Sequence, residues 1–226
     1  MKQEYWLMNV LLEKSYDHIV GTKTVLCHLF IKEGIIAKII SADQPFYTSI
    51  TTIDGKVKLL MPSFLEKHVH LDKTFMGNPW VAINQEELIV DQCALEQHIL
   101  TTLEMTTEKR AMLLLDKLLL NGSTHIRTHV DIYPEIGLEK VIGILQAFNN
   151  FSGKLSGEMV AFPQHVHLRT KSKKLVREAL HLGTEIVGGV DPATIDGNIE
   201  ESLFQMMDLA VEANASVDII SMIETI

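Results

Sequence analysis

The sequence has little of what several protein classes require. No apolar run approaches the ~18 residues of a membrane-spanning helix, so a transmembrane segment is not expected. Only two cysteines occur in 226 residues, Cys27 and Cys93. They match no CxxC or zinc spacing, and each reads as a small buried apolar residue in a reducing compartment. Positive charge is short as well: 20 basic against 29 acidic residues leave a formal charge of −9. With no basic stripe interleaved with aromatics, a nucleic-acid footprint is not expected. No GxGxxG or P-loop glycine pattern follows an apolar strand, which removes the main support for nucleotide binding. The N-terminus, Met1-Lys2-Gln3-Glu4-Tyr5-Trp6, places an acid where a signal peptide needs an apolar core. The expectation is a soluble cytoplasmic protein with neither membrane nor nucleic acid as partner.

What is present suits one large or two small globular domains: hydrophobic content is 46% and charged content 22%. Residues 1–60 read as short strands and turns. Val25–Ile31 and Ile35–Ile40 are β-branched-rich runs split by a hairpin turn at Lys32-Glu33-Gly34. Asp54-Gly55, between Ile50–Ile53 and Val57–Met61, reads as a second hairpin. From residue 61 onward, helical stretches separate short apolar strands. A helix is predicted over Gln85–Leu103. Another is capped by Thr106 or Thr107, carries the stripe Ala111, Leu114, Leu115, Leu118, and stops at Asn121-Gly122. Further helices are marked by Leu138–Leu145, by Leu175–Leu180 ending near Gly183, and by Ile199–Ala210. Strands are predicted at Thr124–Asp131, Glu158–Phe162, Glu185–Asp191 and Ser216–Ile220. Together with the strand that leads into His68-x-His70, these make five strands with intervening helices, which imply parallel βαβ units with right-handed crossovers. Met206 and Met207 read as core.

The chain is organised around Phe64-Leu65-Glu66-Lys67-His68-Val69-His70-Leu71-Asp72-Lys73-Thr74-Phe75. Side chains alternate across a strand, so His68 and His70 lie on one face. Two imidazoles at a strand end can reach one cation, and neutral imidazole suits zinc or iron. A partly exposed strand that merely carries two histidines is the alternative. Polar residues also cluster where the other strands end: Asp72 with the first, His129 and Asp131 with the second, Gln164 and His165 with the third, Asp191 with the fourth. A (β/α)8 barrel builds its active site from such strand ends. His125, Arg127 and His129 share one face of their strand, inward or outward. His165-x-His167 falls in a loop, Asp191-Pro192 also reads as a turn, and His98 and His181 read as surface residues on helices. Gln164 offers an amide that can read the C=O and N–H of a heterocycle.

Leu60-Met61-Pro62-Ser63-Phe64 through His68-Val69-His70-Leu71-Asp72-Lys73-Thr74 resembles the first barrel strand of the amidohydrolase superfamily, in particular its cytosine deaminase-like group. Thr124–Asp131, Val160–Gln164 and Gly188–Pro192 resemble the second, third and fourth strands. The resemblance implies a partial TIM (β/α)8 barrel, about strands 1–5 over residues 61–226, preceded by a small β-rich domain of the composite β-sandwich kind over residues 1–60. It also implies one divalent metal, Fe or Zn, with His68 and His70 as ligands, and Gln164 against a small heterocyclic substrate. The reaction implied is hydrolysis of a non-peptide C–N bond. The lack of a lysine at Asp191 fits the mononuclear type, and the HxE and PCxxC ligands of the other deaminase class are absent.

The chain departs from that family at its fifth strand. Ile220 stands where a ligand histidine belongs, Glu224 does not align with the general acid/base, and no catalytic residue is assigned. About 166 residues follow Leu60, against about 250 for a whole barrel. We therefore expect a truncated chain, inactive alone, with a reading-frame shift near codon 219: Met222-Ile223 is what His-Asp codons give when read one base late. The alternative is a non-catalytic half-barrel remnant that self-associates or is structural, because open sheet edges invite pairing.

Overall fold

The structure, a computed structural model, describes residues 4–80, 82, 89–163, 172–190 and 197–220. The chain divides into two compact units, Met1–Pro62 and Ser63–Ile226.

The first unit is a four-stranded sheet of β1 (Glu4–Asp17), β2 (Gly21–Lys32), β3 (Ile35–Ser41) and β4 (Thr52–Leu59), in the order β3-β2-β1-β4. Val10, Cys27 and Leu29 form its buried centre. The reading of short strands fails for β1 and β2, which pair along a hairpin of 14 and 12 residues. The turn at Glu33-Gly34 forms as expected, with φ of 52° and 80°, the left-handed pair that a two-residue hairpin needs. Asp54-Gly55 is not a hairpin. β4 runs through it parallel to β1, and the register jumps from Met8↔Asp54 to Val10↔Lys58. The turn chemistry is spent on a bulge: Asp54 Oδ1 accepts the Lys56 N–H (3.0 Å) and the Asn9 side-chain amide (3.1 Å). A Cβ at Gly55 would collide with Val10.

The second unit runs β5 (Phe64–Val69), α1 (Ile89–Thr101), α2 (Thr107–Leu120), β6 (Ser123–Asp131), α3 (Glu139–Asn150), β7 (Ser156–Phe162), α4 (Lys173–Leu182), β8 (Ile186–Val190), α5 (Ile199–Ala213) and β9 (Ser216–Ile220). The five strands are parallel and lie in chain order, so the unit is a mixed α/β half of a (β/α)8 barrel. Helix boundaries follow the local chemistry. The Thr106 side chain caps α2 by accepting from the Lys109 N–H, and Gly183 ends α4 in the left-handed conformation at φ 115°.

Ile126 and Val130 of β6, Met159 and Ala161 of β7, and Val187 of β8 pack against the buried faces of α2 to α5. The opposite sheet face holds a smaller cluster of Val160, Phe162 and Ile186, with Val190 and Ile220 against it. Met206 is fully buried, but its neighbour Met207 is 47% exposed and is not core, because adjacent helical residues point in different directions. Among the described residues no helix is long and apolar enough to cross a membrane.

Candidate active site

Strand β5 delivers its two histidines through an irregularity. Its register against β6 passes from Glu66↔Ile126 to Val69↔Thr128, so two residues of β5 oppose one of β6. Such a bulge re-aims side chains near active sites, and here the Glu66 carboxylate accepts the His68 N–H at 3.1 Å. His68 and His70 share one face as expected, with ring centroids 5.4 Å apart. His68 is exposed and His70 half-buried. The His129 ring lies with them, 4.3 Å from His68 and 5.5 Å from His70, and the edge of Phe162 closes on His70 and His129 at 5.7 and 5.3 Å.

A buried ionic cluster holds the turn that follows His70. The Lys140 ammonium, brought in by α3, lies 3.1 Å from both Asp72 and Asp131. Lys73 reaches Asp131 at 3.3 Å and Glu96 of α1 at 3.0 Å. The Leu71 N–H donates to Thr128 Oγ1 (3.1 Å), and the Arg110 guanidinium donates to the carbonyls of Asp72 and Thr74, both at 2.8 Å. Isolated charges would not survive at this depth; paired and hydrogen-bonded ones do. Burial opposes ionisation of Asp72, but Lys140 and Lys73 together hold it below the usual carboxylate range. Burial and the Asp72 charge push Asp131 up to about 7. Burial, reinforced by the Lys73 ammonium, lowers the His70 imidazole to about 3, and burial with His68 lowers His129 to about 4. Both rings are therefore neutral at pH 7.

Beneath the histidines the same sheet face carries a charged row. Arg127 donates to Glu158 (2.8 Å) and Asp218 (2.9 Å), Lys67 reaches Glu158 (3.3 Å), and His125 meets Ser156 (2.8 Å). The sequence leaves the facing of His129 open and gives Asp218 and Lys140 no site role. The apolar alternation of Ile126 and Val130, both in the helix-side core, was the signal that sends His125, Arg127 and His129 to the other face. Lys140 lay hidden as one lysine in the buried stripe of α3. Asp72 and Asp131 are buried in the cluster rather than simply ending strands. His98 and His181 are exposed, as expected. Gln164, His165, His167, Asp191 and Glu224 lie outside the described residues.

His68 and His70 fit part of a metal site, two neighbouring neutral-capable imidazoles at a strand end. His70 Nδ1 and both His129 ring nitrogens are buried without a hydrogen-bond partner among the described residues. His129 stacks on His68, tilted by 36°, rather than converging with it. Among the described residues no group of three or more His, Cys, Asp or Glu converges for a cation. Ile220, at the end of β9, packs into the inner apolar cluster.

No protein-family profile matches the chain. It is 36% identical over 221 residues to YahJ of Escherichia coli K12, an uncharacterized protein, covering 95% of this chain and 48% of that one. It is 30% identical over 172 residues to N-isopropylammelide isopropyl amidohydrolase of Pseudomonas sp. strain ADP, covering 74% of this chain and 42% of that one. Among solved structures, N-isopropylammelide isopropylaminohydrolase from Burkholderia multivorans superposes with a TM-score of 0.81 at 24% identity, over 97% of this chain and 53% of that one. The phosphonocytosine complex of 5-methylcytosine deaminase from Klebsiella pneumoniae gives 0.77 at 24% identity, over 95% and 50%. The chain thus spans about half the length of the relatives it matches. The parallel half barrel and these similarities agree: the chain resembles enzymes of the amidohydrolase superfamily over about half of their length.

Proposed function

We propose that this chain carries part of a metal-dependent hydrolase that cleaves a non-peptide C–N bond of a cytosine-like or related cyclic substrate. In this reading His68 and His70 hold one divalent cation, iron or zinc, and Gln164 addresses the substrate ring. The observation that carries the reading is the pair of imidazoles at the C-terminal end of β5, 5.4 Å apart, on a turn fixed by buried charges. The substrate class is supported by similarity to proteins described as an isopropylammelide hydrolase and a 5-methylcytosine deaminase. When bound, a divalent cation activates water near neutral pH. The chain's own residues supply the setting. A neutral His70 offers its lone pair without a competing proton. His129 lies against both rings of the pair, and Phe162 packs against His70.

The 226-residue polypeptide by itself is expected to be inactive. Catalytic zinc sites use three protein ligands, whereas Ile220 is apolar and two imidazoles are what β5 supplies. Elemental analysis of the purified chain, with assays on cytosine, 5-methylcytosine and N-isopropylammelide, tests this. Substoichiometric iron or zinc, lost in His68→Ala and His70→Ala, and no turnover are the expected results. Metal retained by the double variant would refute the ligand assignment, and turnover abolished by His68→Ala would refute the inactivity.

One observation favours a second reading, a non-catalytic half barrel that self-associates. Phe204, Met207 and Val211, spaced along one side of α5, are 71%, 47% and 83% exposed. Concentration-dependent, metal-independent association in sedimentation velocity, without bound metal, would support it.

A further inference from the structure

Two buried atoms at this site face each other without partners. His70 Nδ1 and Asp72 Oδ1 are 3.9 Å apart, and neither has a hydrogen-bond partner among the described residues. The rest of the Asp72 carboxylate is committed. Its Oδ2 takes the Lys140 ammonium at 3.1 Å and the Asp131 N–H at 3.2 Å, while Arg110 holds the Asp72 carbonyl at 2.8 Å. The carboxylate is therefore anchored on one side with its second oxygen turned toward the imidazole. At 3.9 Å the pair is beyond hydrogen-bond range, and the bond forms if the ring closes on the carboxylate by about 1 Å. Contacts of this kind are often long until an active site is filled.

We propose that Asp72 is a positioning residue for His70: its Oδ1 accepts the Nδ1–H of the imidazole, so that Nε2 is left to face the cation. The inference rests on His70 being a ligand. A carboxylate behind a ligating imidazole fixes its tautomer and ring orientation. The sequence hides this, because Asp72, two residues after His70, reads there as a strand-end polar residue.

The test uses the 226-residue chain labelled with ¹⁵N-histidine, in which long-range ¹H–¹⁵N correlation reads the His70 tautomer. The wild-type ring is expected to carry its proton on Nδ1, and Asp72→Asn to shift the population toward the Nε2–H form. A wild-type ring protonated on Nε2 overturns the proposal, and that reading needs no variant to fold. Titration with Co²⁺ is the second arm: Asp72→Asn should weaken binding by about 10- to 100-fold. If His68→Ala abolishes Co²⁺ binding while Asp72→Asn leaves it unchanged, the positioning role is wrong. If neither His68→Ala nor His70→Ala affects Co²⁺, the ligand assignment fails, and the tautomer alone still decides whether Asp72 holds His70.

Discussion

At the scale of single residues, the site is decided by which side chains a strand end brings within reach of one another. His68 and His70 are neighbours because of alternation and a bulge. Ile220 ends β9 among apolar partners on the same inner face. An imidazole there would add a donor from a second strand, so Ile220→His is expected to tighten Co²⁺ or Zn²⁺ binding by about tenfold or more, each decade being about 1.4 kcal/mol. Isothermal titration of the variant against wild type checks this, with Ile220→Leu as the control that leaves affinity unchanged. His129 has a different part. Fully buried and neutral, it forms the floor under the His68 ring.

Elements are held by one-sided packing. On α2, Leu115 is fully buried in the helix-side core, while Leu113 is 42% exposed. Leu115→Ala should therefore destabilise by about 2–5 kcal/mol, the usual range when a buried leucine leaves a cavity. Leu113→Ala should fall within about 0.5 kcal/mol of wild type. Paired urea denaturation curves measure both, and similar losses would contradict the burial pattern. The stripe Ala111, Leu114, Leu115, Leu118 was legible because the helical period alone sets which side chains share a face. The bulge in β4 was not. Asp54-Gly55 has hairpin chemistry, and only the parallel partner β1, with Val10 against Gly55, turns it into a bulge.

For the half barrel as a whole, one polar row ties distant strands together. Lys67 of β5, Arg127 of β6, Glu158 of β7 and Asp218 of β9 are joined by ion pairs across the inner face. β8 contributes Gly188 on this face, where a Cβ would stand 2.8 Å from Phe162 and Val160. The hydrogen bond from Arg127, helped by Lys67, lowers Glu158 from 4.5 to about 2. A depressed carboxylate stabilises the fold fully above its ordinary value, and that contribution is lost as pH falls through the folded value. Glu158→Gln should therefore melt below wild type at pH 7, with the gap narrowing from about pH 5 toward pH 2. A constant gap over that range in thermal melts would show that Glu158 acts through packing instead.

The sequence by itself determined the alternation of strands and helices, the end of α2 at Asn121, and the placement of His68 and His70 on one face. Each depends on the period of a local element or on turn chemistry within a few residues. Tertiary structure alone decided the rest. It set which face of β6 turns inward and therefore that His129 joins the pair. It brought Lys140 from a helix 67 positions beyond Lys73 to neutralise Asp72 and Asp131. It also left Asp72 Oδ1 pointing at His70. Those outcomes depend on contacts between segments far apart in the chain, where burial turns solvated charges into a cluster that must pair, and no local period encodes such pairing.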